Sequence, residues 1–305
     1  MRKLLVLGAL LLGVSFSYAQ DADGEEEQKQ GWTKNGTFTF LLNQAAFSNW
    51  VAGGQNNISG TGGLNYDFNY LRGDWSWDNK LIASYGLTNT EDQGTRKSDD
   101  RLEFNSLVGK KAFGNWNYSF FLNFRTQFTD GYNYKEDEDG EFPVSGLFKP
   151  AYLTFGPGLE WKKSENLKFN LAPATSKMTF ISDDLWVYDD DQDTFVQHSG
   201  PDNINELQVY GIDPGDQFRY ELGFYASGYY KFTIMENVSF ENILSLYSNY
   251  LEDPQNVDLD YTLNVMMKIN KYLSTNFTVQ LVYDDNAVTA LQLREVFGLG
   301  VNFGF

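Results

Sequence analysis

The chain has 305 residues, no cysteine, a single histidine and a formal net charge of −18. That inventory excludes a disulfide framework, a thiolate metal site and a cysteine-linked lipid anchor, nearly excludes zinc, and argues against nucleic acid as a partner. Phe, Tyr and Trp supply 17% of the residues and Gly occurs 28 times, which suits aromatic girdles and tight turns, while a mean hydropathy of −0.43 is uninformative where apolar and polar residues alternate.

Residues 1–19 read as an export signal. Arg2 and Lys3 precede an uncharged apolar run from Leu4 to Val14, and Ser17-Tyr18-Ala19 forms a small-x-small cleavage site, so the mature chain is expected to begin at Gln20. The apolar run is too short to cross a bilayer as a helix. Residues 20–31 are polar and acidic and read as a flexible periplasmic lead-in. From Gly36 onward the hydrophobic pattern has a period of two, the spacing at which successive side chains take opposite faces of a strand. It predicts twelve strands, at 36–43, 57–71, 74–88, 100–112, 115–129, 150–162, 166–176, 218–234, 238–250, 258–270, 273–284 and 294–305. The clearest is 115–129, with Tyr118, Phe120, Leu122, Phe124 and Phe128 on one face and Asn117, Ser119, Asn123, Arg125 and Gln127 on the other. Most are long enough for the ~9–11 residues of a tilted membrane strand.

The connections alternate between long (44–56, 89–99, 130–149, 177–217, 251–257 and 285–293) and short (near Arg72-Gly73, Phe113-Gly114, Lys163 to Glu165, Met235 to Asn237 and Lys271-Tyr272). Long external loops and short periplasmic turns are the mark of an outer-membrane barrel, and an even strand count places both chain ends in the periplasm. A sandwich has no reason to segregate loop length in this way. The stretch 177–217 has room for a further hairpin, for instance around Leu207 to Tyr210.

Four features bear on chemistry. His198 lies in the long acidic loop 177–217 with no nucleophile motif beside it, and reads as a solvent-exposed loop histidine rather than a general base. Asp189, Asp190, Asp191 and Asp193 are a candidate calcium site, set against a solvated acidic rim. On the faces opposite the apolar stripes stand Asp67, Lys80, Glu103, Arg125, Glu160, Lys168, Arg219, Glu221, Lys231, Glu241, Asp260 and Lys268. Such charges must be paired or bathed in water, so they are expected to face a lumen, either a narrow polar channel or a salt-bridged plug. Finally, Phe47, Trp50, Gly53 and Gly54 sit in the first external loop, as girdle aromatics with a glycine turn or as a loop folded into the pore.

Several phrases carry a resemblance: NQAAFSNWVAGGQNNIS over 43–59, LAPATSKMTF at 171–180, YGIDPG at 210–215, SNYLEDPQNVDLDY at 248–261, MKINKYLST at 267–275 and LVYDDN at 281–286. Together they resemble the Bacteroidetes outer-membrane family catalogued as domain of unknown function 3078. The terminal Phe305, closing an alternating strand, resembles the assembly signal of bacterial outer-membrane barrels. The resemblance implies an exported outer-membrane barrel and no catalytic or binding residues. The sequence is thus read as one all-β domain over 32–305, a transmembrane antiparallel up-and-down barrel. Its first expected function is a passive channel for small solutes or ions. The alternative is a structural or binding component of an outer-membrane assembly with a plugged lumen, while the sparse histidine chemistry argues against an enzyme. Expected partners are outer-membrane lipid, the assembly machinery during biogenesis and other envelope proteins. No cofactor is called for, and loosely bound divalent cations are compatible with the acidic loops.

Overall fold

The computed structural model describes residues 30–46, 55–199 and 207–304. It contains β1 (Gly31–Ala45), β2 (Asn57–Arg72), β3 (Trp75–Thr90), β4 (Gly94–Phe113) and β5 (Trp116–Thr126), then the short pair β6 (Gly131–Tyr132) and β7 (Pro143–Ser145). β8 (Ala151–Ser164) and β9 (Leu167–Phe180) follow, then the hairpin of β10 (Trp186–Asp189) and β11 (Thr194–Gln197). The chain continues through β12 (Phe218–Met235), β13 (Val238–Asn249), β14 (Asp258–Lys268), β15 (Leu273–Asp284) and β16 (Val288–Gly304). Twelve of these strands form one closed antiparallel barrel, in the order β1-β16-β15-β14-β13-β12-β9-β8-β5-β4-β3-β2. Closure is made by β1 and β16, in register from Thr37 opposite Gly304 to Leu42 opposite Leu299. A closed ladder leaves no edge strand with unpaired amides.

The predicted strand count and faces agree with this barrel, but several strands run further than the apolar pattern suggests. β3 and β4 extend until the turn between them is only 91–93, and β15 and β16 until theirs is 285–287. These two connections are therefore tight hairpins standing above the barrel, not long loops. The extra residues, such as Arg96, Lys97 and Asp99, are polar on both faces, so no period of two marks them. β1 begins at Gly31, inside the expected lead-in, and β5 ends at Thr126, short of Phe128.

The barrel turns the usual burial pattern inside out. Tyr118 and Phe120 of β5, Phe38, Phe40 and Leu42 of β1, and Phe297, Leu299 and Phe303 of β16 are exposed on the outer surface. The buried side chains of the barrel strands are mostly polar, among them Asn79, Glu103, Ser119, Glu160, Asn170, Lys177 and Glu221. A soluble monomer rarely exposes an apolar belt of this extent. Two glycines interrupt the belt on β2, and β1 covers both. The Phe40 ring lies 3.4 Å from where a Cβ on Gly60 would sit, and the Phe38 ring 3.9 Å from that of Gly62. Aromatic rings cluster at the short-turn end, where Trp32 packs against Tyr70 (5.1 Å) and Trp77 (5.8 Å), as girdle aromatics do at a membrane interface.

The apolar cluster of fully buried residues lies outside the barrel, in a cap built from the two longest connections. Ile181, Leu185 and Ile212 form it, with Val209 and Tyr210 packed alongside. Phe142 stacks on Phe195 (4.9 Å, 12°) and touches Trp186 (4.8 Å), joining loop 127–150 to the β10–β11 hairpin. Lys149 ties the same loops by ion pairs to Asp130 (2.8 Å) and Asp184 (2.6 Å). Burial alone would depress the Lys149 pKa, but the hydrogen bonds to Asp130 and Asp184 outweigh it and raise it above the ordinary lysine value.

Candidate functional site: the lumen and its mouth

Inward-facing side chains enclose one cavity of about 830 Å³. It runs from Asn35, Asp67 and Asn166 near the short turns to Lys177, Asp258, Asp284 and Arg294 near the long loops. Nine of the predicted lumen residues line it: Asp67, Lys80, Glu103, Arg125, Glu160, Lys168, Lys231, Glu241 and Asp260. The other three do not. Arg219 and Glu221 sit above it, lining a small separate recess at the long-loop mouth. Lys268 shares the inward parity of Asp260 and Asn264 but falls at the last residue of β14, where it is exposed beside the short turn.

Ion pairs cross this cavity. Arg125 Nη1 on β5 donates to Asp260 Oδ2 on β14 at 2.8 Å, although the two strands are five places apart around the ring. Lys80 on β3 faces Glu241 on β13, the strand directly opposite, at 3.9 Å, and Asp67 at 4.0 Å. Asp78 accepts from Lys162 (3.1 Å) and Lys168 (3.4 Å), and Arg294 reaches Asp99 (2.7 Å). Glu103 is held by Arg101 and by the amides of Asn105 (2.7 Å) and Asn123 (3.2 Å). The side chains of Arg125 and Asp260 are 34% and 25% exposed, so water screens them. A partly solvated pair of this kind contributes about 1 kcal/mol net. Such pairs latch a lumen without sealing it permanently.

An aromatic ledge narrows one side. Phe121 of β5 stacks on Tyr225 of β12 (4.5 Å, 15°) across the two intervening strands β8 and β9. Those strands are pinched together at Gly156-Pro157-Gly158, where the β8–β9 register shifts. A Cβ on Gly158 would lie 2.5 Å from the Leu171 carbonyl oxygen, and one on Gly156 2.6 Å from that of Ala174. With no side chain on Gly156 or Gly158 and only the small Ala172 and Thr175 beside them, the two rings meet above that stretch of wall. The Tyr225 hydroxyl lies 3.1 Å from Ser245 Oγ, and Tyr229 donates to Glu241 at 2.9 Å.

The cap reaches into the long-loop mouth. Val209 and Ile212 exchange backbone hydrogen bonds (3.2 and 2.9 Å) around Tyr210 and Gly211, whose φ values of 54° and 70° suit a tight hairpin turn. This is the further hairpin expected near 207–210, joined by the larger β10–β11 hairpin. Its tip is anchored by Arg219, which donates from Nη1 to the Gly211 carbonyl at 2.7 Å and pairs with Glu252 at 2.7 Å. Tyr210 meets Tyr152 of the barrel wall edge-on at 6.4 Å.

The remaining candidates resolve as follows. Asp189 accepts from the backbone amides of Asp191 (2.9 Å) and Gln192 (3.1 Å) and from Gln192 Nε2 (2.9 Å), closing the β10–β11 turn. Asp193 accepts from the Tyr188 hydroxyl, while Asp190 and Asp191 are exposed. The carboxylates that converge among the described residues are instead Asp258, Asp284 and Asp285, within 4.8 Å of one another. The Lys177 ammonium already sits there, 2.8 Å from Asp258 and 3.5 Å from Asp284. His198 is fully buried, contrary to the exposed position expected, because its backbone joins Leu185 (2.9 Å) and Gly215 (3.4 Å) inside the cap. Phe47, Trp50, Gly53 and Gly54 lie outside the described residues. Sequence reasoning missed Lys177, Asp258, Asp284, Arg294 and the Phe121–Tyr225 ledge. Lys177 is odd-numbered where Lys168 and Asn170 are even, and it faces inward only because the register shift around Pro173 reverses the parity of β9.

Three solved structures are similar to the chain in overall form. The COG4313 outer membrane channel from Pseudomonas putida F1 is 10% identical, with 93% of this chain and 98% of that one covered at a TM-score of 0.40. The translocator domain of autotransporter NalP from Neisseria meningitidis is 9% identical, with 99% and 95% covered at 0.38. The outer membrane channel DcaP of Acinetobacter baumannii is 9% identical, with 90% and 97% covered at 0.31. Likenesses of this size say nothing about activity. No curated protein matches the chain in sequence. Residues 42–132, from the end of β1 to β6, match the model of a family described as "Protein of unknown function (DUF3078)", and it is this family that the chain resembles.

Proposed function

We propose that the protein is an outer-membrane barrel acting as a narrow passive pathway for small solutes or ions. The observation that carries this reading is the polar cavity of about 830 Å³ lined from the short-turn end to the long-loop end. Charged inward faces are tolerable in a barrel only where they are paired or hydrated, and most of those here have a carboxylate or ammonium partner while remaining partly exposed to the lumen. The exposed apolar belt with aromatics at its rim supports insertion in lipid. The crossing pairs and the cap make the pathway resistive, so low conductance is expected. A second reading, a plugged barrel serving a larger envelope assembly, draws on the Arg125–Asp260 crossing and the Tyr210 tip in the mouth. Single-channel recording in planar bilayers separates the two. Discrete, reproducible steps support the pathway, and silence from folded, heat-modifiable protein rejects it in favour of the plug.

A further inference from the structure

The Arg125–Asp260 bridge divides the lumen into unequal halves. On one side stand β8, β9, β12 and β13; on the other stand β15, β16, β1, β2, β3 and β4. The Lys80–Glu241 pair also leaves β15, β16, β1 and β2 together on one side. The smaller half is closed at the level of the Phe121–Tyr225 ledge, where Phe121, Ser119, Thr154 and Asn170 keep only 5%, 8%, 9% and 2% of their surface, while toward the short turns Lys168, Gly228 and Tyr229 still line the cavity. The wall opposite is open, with Asn35 and Asn65 exposed to the cavity and Thr37, Thr39, Thr61, Asn276 and Thr278 half-buried along it.

The two walls also differ in chemistry. Arg294 of β16 apart, the cations of the lumen gather on β3, β4, β5, β9 and β12, and most are engaged by carboxylates. The middle of the β15–β16–β1–β2 wall carries only hydroxyls, amides, glycines and a few aliphatic groups. Its charges stand toward the two ends, Asp67 beside Lys80, and, nearer the long loops, Arg294 paired with Asp99 and Asp284 paired with Lys177. We infer that permeation follows this neutral wall, and that the pathway takes small, uncharged, hydroxyl-bearing solutes in preference to ions of similar size. The inference rests on the channel reading above. A polyhydroxyl solute exchanges its water hydrogen bonds for those of Thr, Asn and Ser along the wall. An ion moving there gives up part of its hydration and meets no uncommitted counter-charge, a cost that grows as the path narrows.

The chain contains no cysteine, so single cysteines can be introduced without background. Thr39→Cys, Asn65→Cys and Asn276→Cys place a thiol on the open wall; Ser119→Cys and Thr154→Cys place one in the closed half. Each full-length variant is checked for heat-modifiable folding, reconstituted in liposomes, and assayed for efflux of labelled arabinose, arabinonate and lysine. Efflux is then repeated after a membrane-impermeant methanethiosulfonate reagent. Expected are arabinose efflux several-fold faster than that of either ion, and a several-fold loss on modifying the open-wall thiols. The closed-half thiols should react slowly and leave efflux unchanged. Block at Ser119→Cys or Thr154→Cys without block on the open wall overturns the assigned path. Faster efflux of arabinonate or lysine than of arabinose overturns the solute class. Absence of efflux of all three from folded wild-type protein rejects the channel reading itself, and this inference falls with it.

Discussion

Phe121 and Tyr225 belong to strands separated by two others, yet their rings stack 4.5 Å apart. The contact has room because Gly156 and Gly158 leave β8 without inward side chains there, beside only the small Ala172 and Thr175 of β9. Gly158→Ala would drive a Cβ to 2.5 Å from the Leu171 carbonyl, a backbone atom that cannot swing aside, whereas Gly228 of β12 has open space around its Cβ position. Gly158→Ala is expected to destabilise the barrel by about 1–3 kcal/mol, and Gly228→Ala to change it little. Urea titration followed by gel-shift of the folded form measures both. Equal behaviour of the two variants would mean that the pinch does not hold the wall.

The Arg125–Asp260 bridge is the tightest of the near-diametric contacts, and Asp260 is also held by Gln280 Nε2 at 3.0 Å. Removing either charge widens the lumen at that level. Arg125→Ala and Asp260→Ala are each expected to raise single-channel conductance. The double variant should exceed both, with a stability coupling between the sites of about 0.5–3 kcal/mol, placed low in that range by the solvent around the pair. Unchanged conductance in all three variants would show that current bypasses the bridge.

How far the sequence discloses this molecule depends on whether a feature is local. The faces of β5 are legible because Asn117, Asn123 and Arg125 alternate with Tyr118, Leu122 and Phe124, and a strand converts alternation directly into inside and outside. Phe121 breaks that alternation, and nothing local says that a phenylalanine belongs in a lumen; its reason is Tyr225, a hundred residues away. Nine charges could be placed on the cavity from parity alone, but not the chord from Arg125 to Asp260, because parity is blind to which strands face each other across a ring. The cap was least legible. Loop residues carry no period, so a hairpin near Leu207 to Tyr210 could be suspected, but neither the burial of His198 nor the contact of the tip with the barrel mouth announces itself.

His198 makes the cap sensitive to acid. Burial comes first among the influences on its ring and lowers the pKa below the ordinary histidine value, while the backbone carbonyls of Asp216 and Asp213 and the Asp216 charge pull the other way without prevailing. A depressed pKa means that the folded cap binds fewer protons than the opened cap as pH falls below about 6.5. The stabilisation is therefore complete above that pH and is lost as acidification proceeds toward the folded value. Hydrogen exchange at the amides of His198 and Gly215, corrected for intrinsic rates, is expected to quicken on going from neutral to mildly acidic solution. His198→Gln should flatten the dependence. A profile that is steep in the variant too would assign it to the surrounding carboxylates.

Gly211 decides whether the cap tip stays in the mouth. It has a φ of +70°, and a Cβ there would lie 1.8 Å from Arg219 Nη1, the group that anchors the tip through the Gly211 carbonyl. Gly211→Ala thus strains the turn and collides with its own anchor. The barrel wall beneath depends on neither contact, since β12 is held along its length by β9 and β13. The expected result is chymotryptic cleavage at Tyr210 under conditions that spare the wild type, with conductance raised and barrel stability unchanged within about 0.5 kcal/mol. Arg219→Gln, whose amide falls two bonds short of the guanidinium and so loses the anchor, leaves the turn itself unstrained and should loosen the tip less. If cleavage appears without any change in current, the tip covers a mouth through which nothing has to pass.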